Sequence, residues 1–183
     1  YYLDGIKEGY FRIAGTDKFL SGPFGNGTLA MYIGSNAGES FVKQSVGDKF
    51  EVGVAPYPSK PSLQQGTDVY MFSSATTEQR TAAYEYLKFM TTTENQITWA
   101  KETGYIPVRK SAIDSDQYKN SGSLIAPILA DATSDLYTNP ILSGADSAFR
   151  ESGTVLESIL AAPNTDINKK LEEFKNSLNS IWE

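Results

Sequence analysis

The chain has 183 residues, with 16 Lys and Arg against 22 Asp and Glu, so its formal net charge is −6 and its pI is near 4.8. Release of counter-ions from nucleic acid needs clustered cations, whereas the basic residues here stand singly or in pairs such as Arg109-Lys110 and Lys169-Lys170, which excludes nucleic acid as a partner. With 40% hydrophobic and 21% charged residues the chain can bury enough surface to fold, and the absence of Cys and His removes disulfides, thiol nucleophiles, Ser-His triads and nearly all zinc sites.

No run of about 18 apolar residues occurs that would span a bilayer, and the mean hydropathy is −0.34. The chain opens on Tyr1, with neither Met nor a basic-then-apolar leader pattern. It reads as a mature piece of a longer protein whose address signal has been cut away.

In chain order, residues 1–22 carry apolar positions at mixed spacing (Leu3, Ile6, Tyr10, Phe11, Ile13) and suggest one short helix and a loop. Residues 28–33, Thr-Leu-Ala-Met-Tyr-Ile, lie between Gly27 and Gly34 and read as a buried strand. Ser35, Asn36 and Gly38 are turn and cap types, and a helix is expected over Glu39 to Val46. A second strand is expected over residues 50–55, running into an extended stretch with prolines at 56, 58 and 61. A third is expected over residues 67–73.

Thr76 and Thr77 then precede a helix marked by Ala83, Tyr86, Leu87 and Met90. Thr93 with Gln96 reads as a capping box for a helix that Gly104 stops. Beyond Lys110 the chain is mainly helical. One helix is expected from about Ala145 to Leu160, with Phe149, Ser152, Leu156 and Ile159 on one side, and Pro163 ends it. The last helix, capped by Asn164 or Thr165, bears a stripe of Ile167, Leu171, Phe174, Leu178 and Ile181.

For chemistry the residues alone leave little. The acids Asp68, Glu78, Glu102, Asp146 and Glu151 show no spacing that singles out a glycosidase pair. The loop at residues 22–27 lacks the Lys-Ser/Thr end of a phosphate-binding loop. No catalytic, metal or cofactor site is expected.

Four blocks together carry a family resemblance: Phe24 to Gly34 (FGNGTLAMYIG), Val52 to Pro58 (VGVAPYP), Ala82 to Gln96 (AAYEYLKFMTTTENQ) and Trp99 to Val108 (WAKETGYIPV). In this order they resemble the extracellular solute-binding proteins of bacterial carbohydrate ABC importers, of the maltose and glycerol-3-phosphate-binding type. The resemblance implies an α/β, periplasmic-binding-protein-like (type II) fold, here a helix-rich lobe from the second half of a two-lobed protein about twice this length. On that mapping residues 1–61 form the first part of the C-terminal lobe. Residues 62–109 cross the hinge and lie in or against the N-terminal lobe, and residues 110–183 return as the helical second part of the C-terminal lobe. If the other lobe is absent, the helix pair at 78–104 must find apolar partners within the chain or leave an exposed patch.

The same resemblance implies the site residues one at a time. Ser35 stands where relatives have a small polar residue, and a helix cap is its equal alternative. Gly66 matches a glycine that lets ligand approach the backbone, or is a plain turn. Tyr105 is similar to the tyrosine that reaches the ligand, or else only packs. Arg150 matches an arginine near the start of a late helix, suited to a hydroxyl pair, carboxylate or phosphate. Asp68 and Asp146 are acceptors for sugar hydroxyls, or caps. Trp99 and Trp182 fall at positions that do not face the cleft, so strong maltodextrin stacking is not expected.

The implied role is a non-enzymatic receptor, without cofactor, that captures a sugar or oligosaccharide and delivers it to ABC permease subunits. It would work in the periplasm or as a cell-surface lipoprotein, touching the membrane only through a lipid anchor on the missing N-terminus. The competing possibilities are a carbohydrate-active enzyme module using Asp68 and Asp146, and a surface interaction domain.

Overall fold

The computed structural model describes residues 2–183. Its helices in chain order are α1 (Tyr2–Lys7), α2 (Ser21–Gly25), α3 (Glu39–Val46), α4 (Thr77–Met90), α5 (Thr93–Thr103), α6 (Lys110–Ile113), α7 (Asp116–Lys119), α8 (Leu129–Ala132), α9 (Ala145–Ala161) and α10 (Ile167–Trp182). The strands are β1 (Ser62–Leu63) and β2 (Leu136–Tyr137), a parallel pair with Ser62 opposite Leu136 and Leu63 opposite Tyr137. The chain divides into two compact units. One is Leu20–Tyr137; the other joins Tyr1–Phe19 to Thr138–Glu183.

In the unit Leu20–Tyr137 the core forms where short helices meet: Ile97 and Ala100 of α5 pack with Ala112 of α6, Tyr118 of α7 and Leu129 of α8. Burying a large side chain contributes about 1.5–3 kcal/mol, so Ile97, Tyr118 and Leu129 anchor helices too short to hold their own shape. A second contact joins α2 to α3. Gly25 lies directly on Ser45, and a Cβ there would fall 2.4 Å from the Ser45 Cβ, so only glycine permits the approach. Val42 and Val46 are buried on α3. The Phe24 ring meets Tyr32 and Phe50 edge-on at 5.4 and 5.5 Å. Lys49 donates to the carbonyls of Gly25 (2.9 Å) and Ser45 (2.8 Å), satisfying acceptors at two helix ends.

In the other unit α9 packs on α10. Ile159 is buried, and the Trp182 indole Nε1 donates to the Ser143 carbonyl at 2.7 Å. Asp166 caps α10, its Oδ1 accepting from the Lys169 amide at 3.1 Å.

The structure corrects several expectations from periodicity. Residues 28–33, 50–55 and 67–73 run without ladder partners among the described residues and form no strand. A short apolar run shows that a segment can sit in a sheet, but a strand also needs a neighbour to receive its backbone hydrogen bonds. Nor is the first of these runs buried: Met31 is 77% and Ile33 56% exposed.

The capping box lies one helix earlier than expected. Thr76 Oγ1 accepts from the Gln79 amide (3.3 Å), and Gln79 Oε1 accepts from the Thr76 amide (2.9 Å). At α5 the cap is Thr92 rather than Thr93, and Gln96 is diverted to the Met90 carbonyl (2.9 Å) and the Val108 amide (2.9 Å). The last helix is capped by Asp166, not Asn164 or Thr165, a shift within the usual uncertainty of helix ends. The stripes of α9 and α10 are only partly covered, with Phe149, Leu156, Ile167 and Leu171 exposed. The helices Glu39–Val46, 77–90 and 93–103, with Gly104 left-handed at φ 76° as the stop, form as the sequence indicated.

Candidate functional site

Within the unit Leu20–Tyr137 two turns come together. The first is the 3₁₀ turn Asn36–Gly38 leading into α3, capped by Ser35, whose Oγ accepts from the Ala37 amide at 3.3 Å. The second is the C-terminal turn of α5, where Gly104 is buried in the left-handed region. The Asn36 side-chain amide donates to the Gly104 carbonyl at 2.9 Å, across 68 residues of sequence. The seat is tight, because a Cβ on Gly104 would lie 3.0 Å from the Glu39 Cβ and 3.1 Å from the Asn36 carbonyl oxygen. Tyr105 follows at once. Its amide donates to Thr103 Oγ1 (3.2 Å), and that hydroxyl donates to the Trp99 carbonyl (2.7 Å). The Tyr105 ring is partly exposed, at 38%.

Behind these turns sits a buried carboxylate. Glu39 Oε1 accepts from Lys43 Nζ (2.5 Å) and from the Leu124 amide (3.0 Å), and Oε2 accepts from the Ser123 hydroxyl (3.2 Å). Lys43 also donates to the Gly122 carbonyl at 2.8 Å. One side chain thus fastens the start of α3 to the segment 121–124. The neighbouring Tyr118 hydroxyl is buried with no hydrogen-bond partner among the described residues. Burial pushes its phenol above the ordinary 10.0; the Ser123 hydroxyl beside it draws the value down and the Glu39 charge pushes it up.

The expected site residues fall as follows. Ser35 and Tyr105 are carried by the two joined turns. Gly66 is exposed, with open space where a Cβ would stand. Asp68 is exposed, and its Oδ2 accepts from the Tyr70 hydroxyl at 3.3 Å. These four belong to the unit Leu20–Tyr137, and Asp146 and Arg150 to the other. There Arg150 Nε donates to Asp146 Oδ2 at 3.0 Å, its terminal nitrogen also bonds that oxygen, and Asp146 raises the guanidinium pKa. Asp146 lies in the first turn of α9, where a negative charge suits the helix dipole, and the cap position belongs to Gly144.

Asn36 and Glu39 are the residues that sequence reasoning passed over. A glutamate in the first turn of a helix is ordinarily solvated, and no local pattern announces that Glu39 is 8% exposed. Among the described residues no group of three or more carboxylates gathers as a metal site, and no helix is long and apolar enough to cross a membrane.

Comparison with known proteins decides the family, since the family described as bacterial extracellular solute-binding protein matches residues 2–126. The chain belongs to that family. The solute-binding chain is also 26% identical over 131 residues to the sn-glycerol-3-phosphate-binding periplasmic protein UgpB of Escherichia coli O1:K1 / APEC, covering 66% of this chain and 30% of that protein. Against the protein of the same name in Escherichia coli strain K12 it is 25% identical over 114 residues, 59% of this chain and 26% of the other. The solute-binding chain therefore spans about a third or less of the curated relatives it matches.

Proposed function

We propose that this protein is the receptor of an ABC importer, capturing a sugar, oligosaccharide or glycerol phosphate outside the cytoplasm and handing it to the permease without catalysis. The observation that supports this reading is the joining of the turn that carries Ser35 to the turn that carries Tyr105, through the Asn36 hydrogen bond to Gly104. A hydroxyl and an amphipathic ring carried by two joined turns suit a polyol, which offers both hydrogen-bonding groups and apolar C–H faces. Taken by itself, the other unit has the Asp146–Arg150 pair, which presents acceptor and donor together. A phosphate would engage Arg150 only by competing with Asp146. The names of the UgpB relatives bring sn-glycerol 3-phosphate into the same set of solutes.

The lobe assignment follows as part of the proposal: a type II binding-protein lobe with residues 62–109 lying against a second lobe. In support, the segment 66–73 forms no strand with any of the described residues, with Tyr70 84% and Phe72 82% exposed, and α4 has no buried residue. A partner surface in the whole protein would cover this face. Solute bridging two lobes would then shift an open-to-closed equilibrium that the permease reads. Periplasmic or surface location, with any lipid anchor, belongs to the same proposal.

The test is a thermal-shift screen of the protein at its natural length against mono-, di- and trisaccharides and glycerol phosphates. A ligand at about 100 times its Kd adds about 2.7 kcal/mol to stability, and a selective shift that Tyr105→Ala diminishes is expected. Uniform silence across the panel, or turnover of a glycoside that Asp68→Asn abolishes, would overturn the receptor reading.

A further inference from the structure

We infer that Asn36 is a positioning residue: through its side-chain amide it sets the place of Tyr105 relative to Ser35. The inference rests on the reading of Tyr105 as ligand-facing, and its geometry stands apart from the identity of any solute. A carbonyl just past a helix end has no partner within that helix, and Gly104 is such a residue, left-handed at φ 76° and buried. Its carbonyl receives the Asn36 amide at 2.9 Å.

The donor is itself held on both sides. Ser35 Oγ accepts from the Ala37 amide and the Ser35 carbonyl from the Gly38 amide (3.0 Å), while Glu39 is fastened to Ser123 and Leu124. On the other turn, Tyr105 is tied backwards into α5 by Thr103. The Asn36 amide is therefore the polar link that carries the rigidity of the 35–39 turn to the residue preceding Tyr105. Gly104, lacking a Cβ, is what lets the two backbones approach closely enough for it. Removing the donor frees the Gly104 carbonyl to turn to water. Tyr105 then keeps its attachment to α5 and the packing of its neighbour Ile106 on the core cluster but loses its tie to the Ser35 turn, while that cluster around Ile97, Ala100 and Tyr118 is untouched.

The test uses 3-fluorotyrosine labelling, with the Tyr105 and Tyr118 ¹⁹F resonances assigned by Tyr105→Phe and Tyr118→Phe. In Asn36→Ala and in the near-isosteric Asn36→Asp, the Tyr105 line should shift or broaden and the Tyr118 line should stay. An unmoved Tyr105 line, or both lines moving together, would overturn the inference. Should both variants fail to fold, the unsubstituted protein decides: an Asn36 side-chain amide proton exchanging slowly with solvent supports the link, and free exchange refutes it.

Titration with sn-glycerol 3-phosphate separates this from the functional reading. If the protein binds it, Asn36→Asp should weaken affinity about five- to tenfold, the worth of one hydrogen bond, and the effect should vanish in a Tyr105→Ala background. Unchanged affinity would overturn the inference. If no glycerol phosphate or sugar binds while the Tyr105 line moves as expected, the solute reading fails and the positioning of Tyr105 by Asn36 stands.

Discussion

Replacing Glu39 by Ala isolates how one buried carboxylate holds the wall that carries Ser35 and Asn36. Three contacts disappear at once, and their environments set their worth. The Leu124 amide is partly buried and would be left without an acceptor, at a cost of about 1–3 kcal/mol. The Ser123 hydroxyl can rotate towards another acceptor, so its share is about 0.5–1 kcal/mol. The Lys43 side chain is 45% exposed and its ammonium is already bonded to the Gly122 carbonyl, and solvent screening limits its ion pair to about 0–1 kcal/mol. Together Glu39→Ala should cost about 1.5–5 kcal/mol, against about 1 kcal/mol for Glu39→Gln, which keeps an acceptor for the amide.

Urea titration followed by Trp99 fluorescence, in a Trp182→Phe background so that only the unit Leu20–Tyr137 reports, measures both. With a slope of about 2 kcal/mol per molar urea, the Ala variant should lower the midpoint by about 0.75–2.5 M. A shift below about 0.5 M would refute the reasoning. So would a Lys43→Met variant as damaging as Glu39→Ala, since the ion pair rather than the amide would then be the fastening.

Gly104→Ala places a Cβ in the left-handed region against Glu39 and Asn36, and should cost about 1–3 kcal/mol in the same urea assay; a neutral result would show that the turn yields freely. Tyr118 has its phenol pKa raised by burial, so its contribution is fully present below about pH 10 and is lost as pH climbs through the folded value. Thermal midpoints should therefore fall in alkali above that pH. Tyr118→Phe should flatten the fall, leaving the part due to Tyr32, whose pKa burial also raises. Because the Tyr118 hydroxyl meets no well-placed hydrogen-bond partner among the described residues, the same variant should be neutral or stabilising by up to about 1 kcal/mol at pH 7; a clear loss there would reveal a bond to that hydroxyl, with Ser123 beside it the first candidate. Analytical ultracentrifugation of the 183-residue chain should show concentration-dependent association through the apolar stretch at residues 69–72. Tyr70→Lys with Phe72→Lys should suppress it, and a monomer at all concentrations would show that the exposed face is inert.

The helices were legible because their information is local. Thr76 and Thr77 ahead of α4, the four- and three-residue spacing after Ile167, and Gly104 as a left-handed stop each act within one or two turns. The blocks from Phe24 to Val108 were enough for the family, whose match covers residues 2–126. The three expected strands failed for the opposite reason: pairing belongs to two segments at once, and Met31 or Phe72 does not itself say whether a neighbour is there. The parallel pairing of Ser62 with Leu136 was equally invisible, since neither segment carries a pattern that names the other.

The same boundary runs through the candidate site. By itself the sequence determined the turn types at Ser35 and Gly104, the helices that end and begin there, and the presence of Tyr105 beside a helix stop, all properties of neighbouring residues. Only the tertiary structure decided that Asn36 would reach Gly104 across 68 residues and that Glu39 would leave water to bind Ser123 and Leu124. A hydrogen bond between distant segments depends on where packing delivers both partners, and that depends on the burial of Ile97, Val42 and Tyr118 summed over the whole unit.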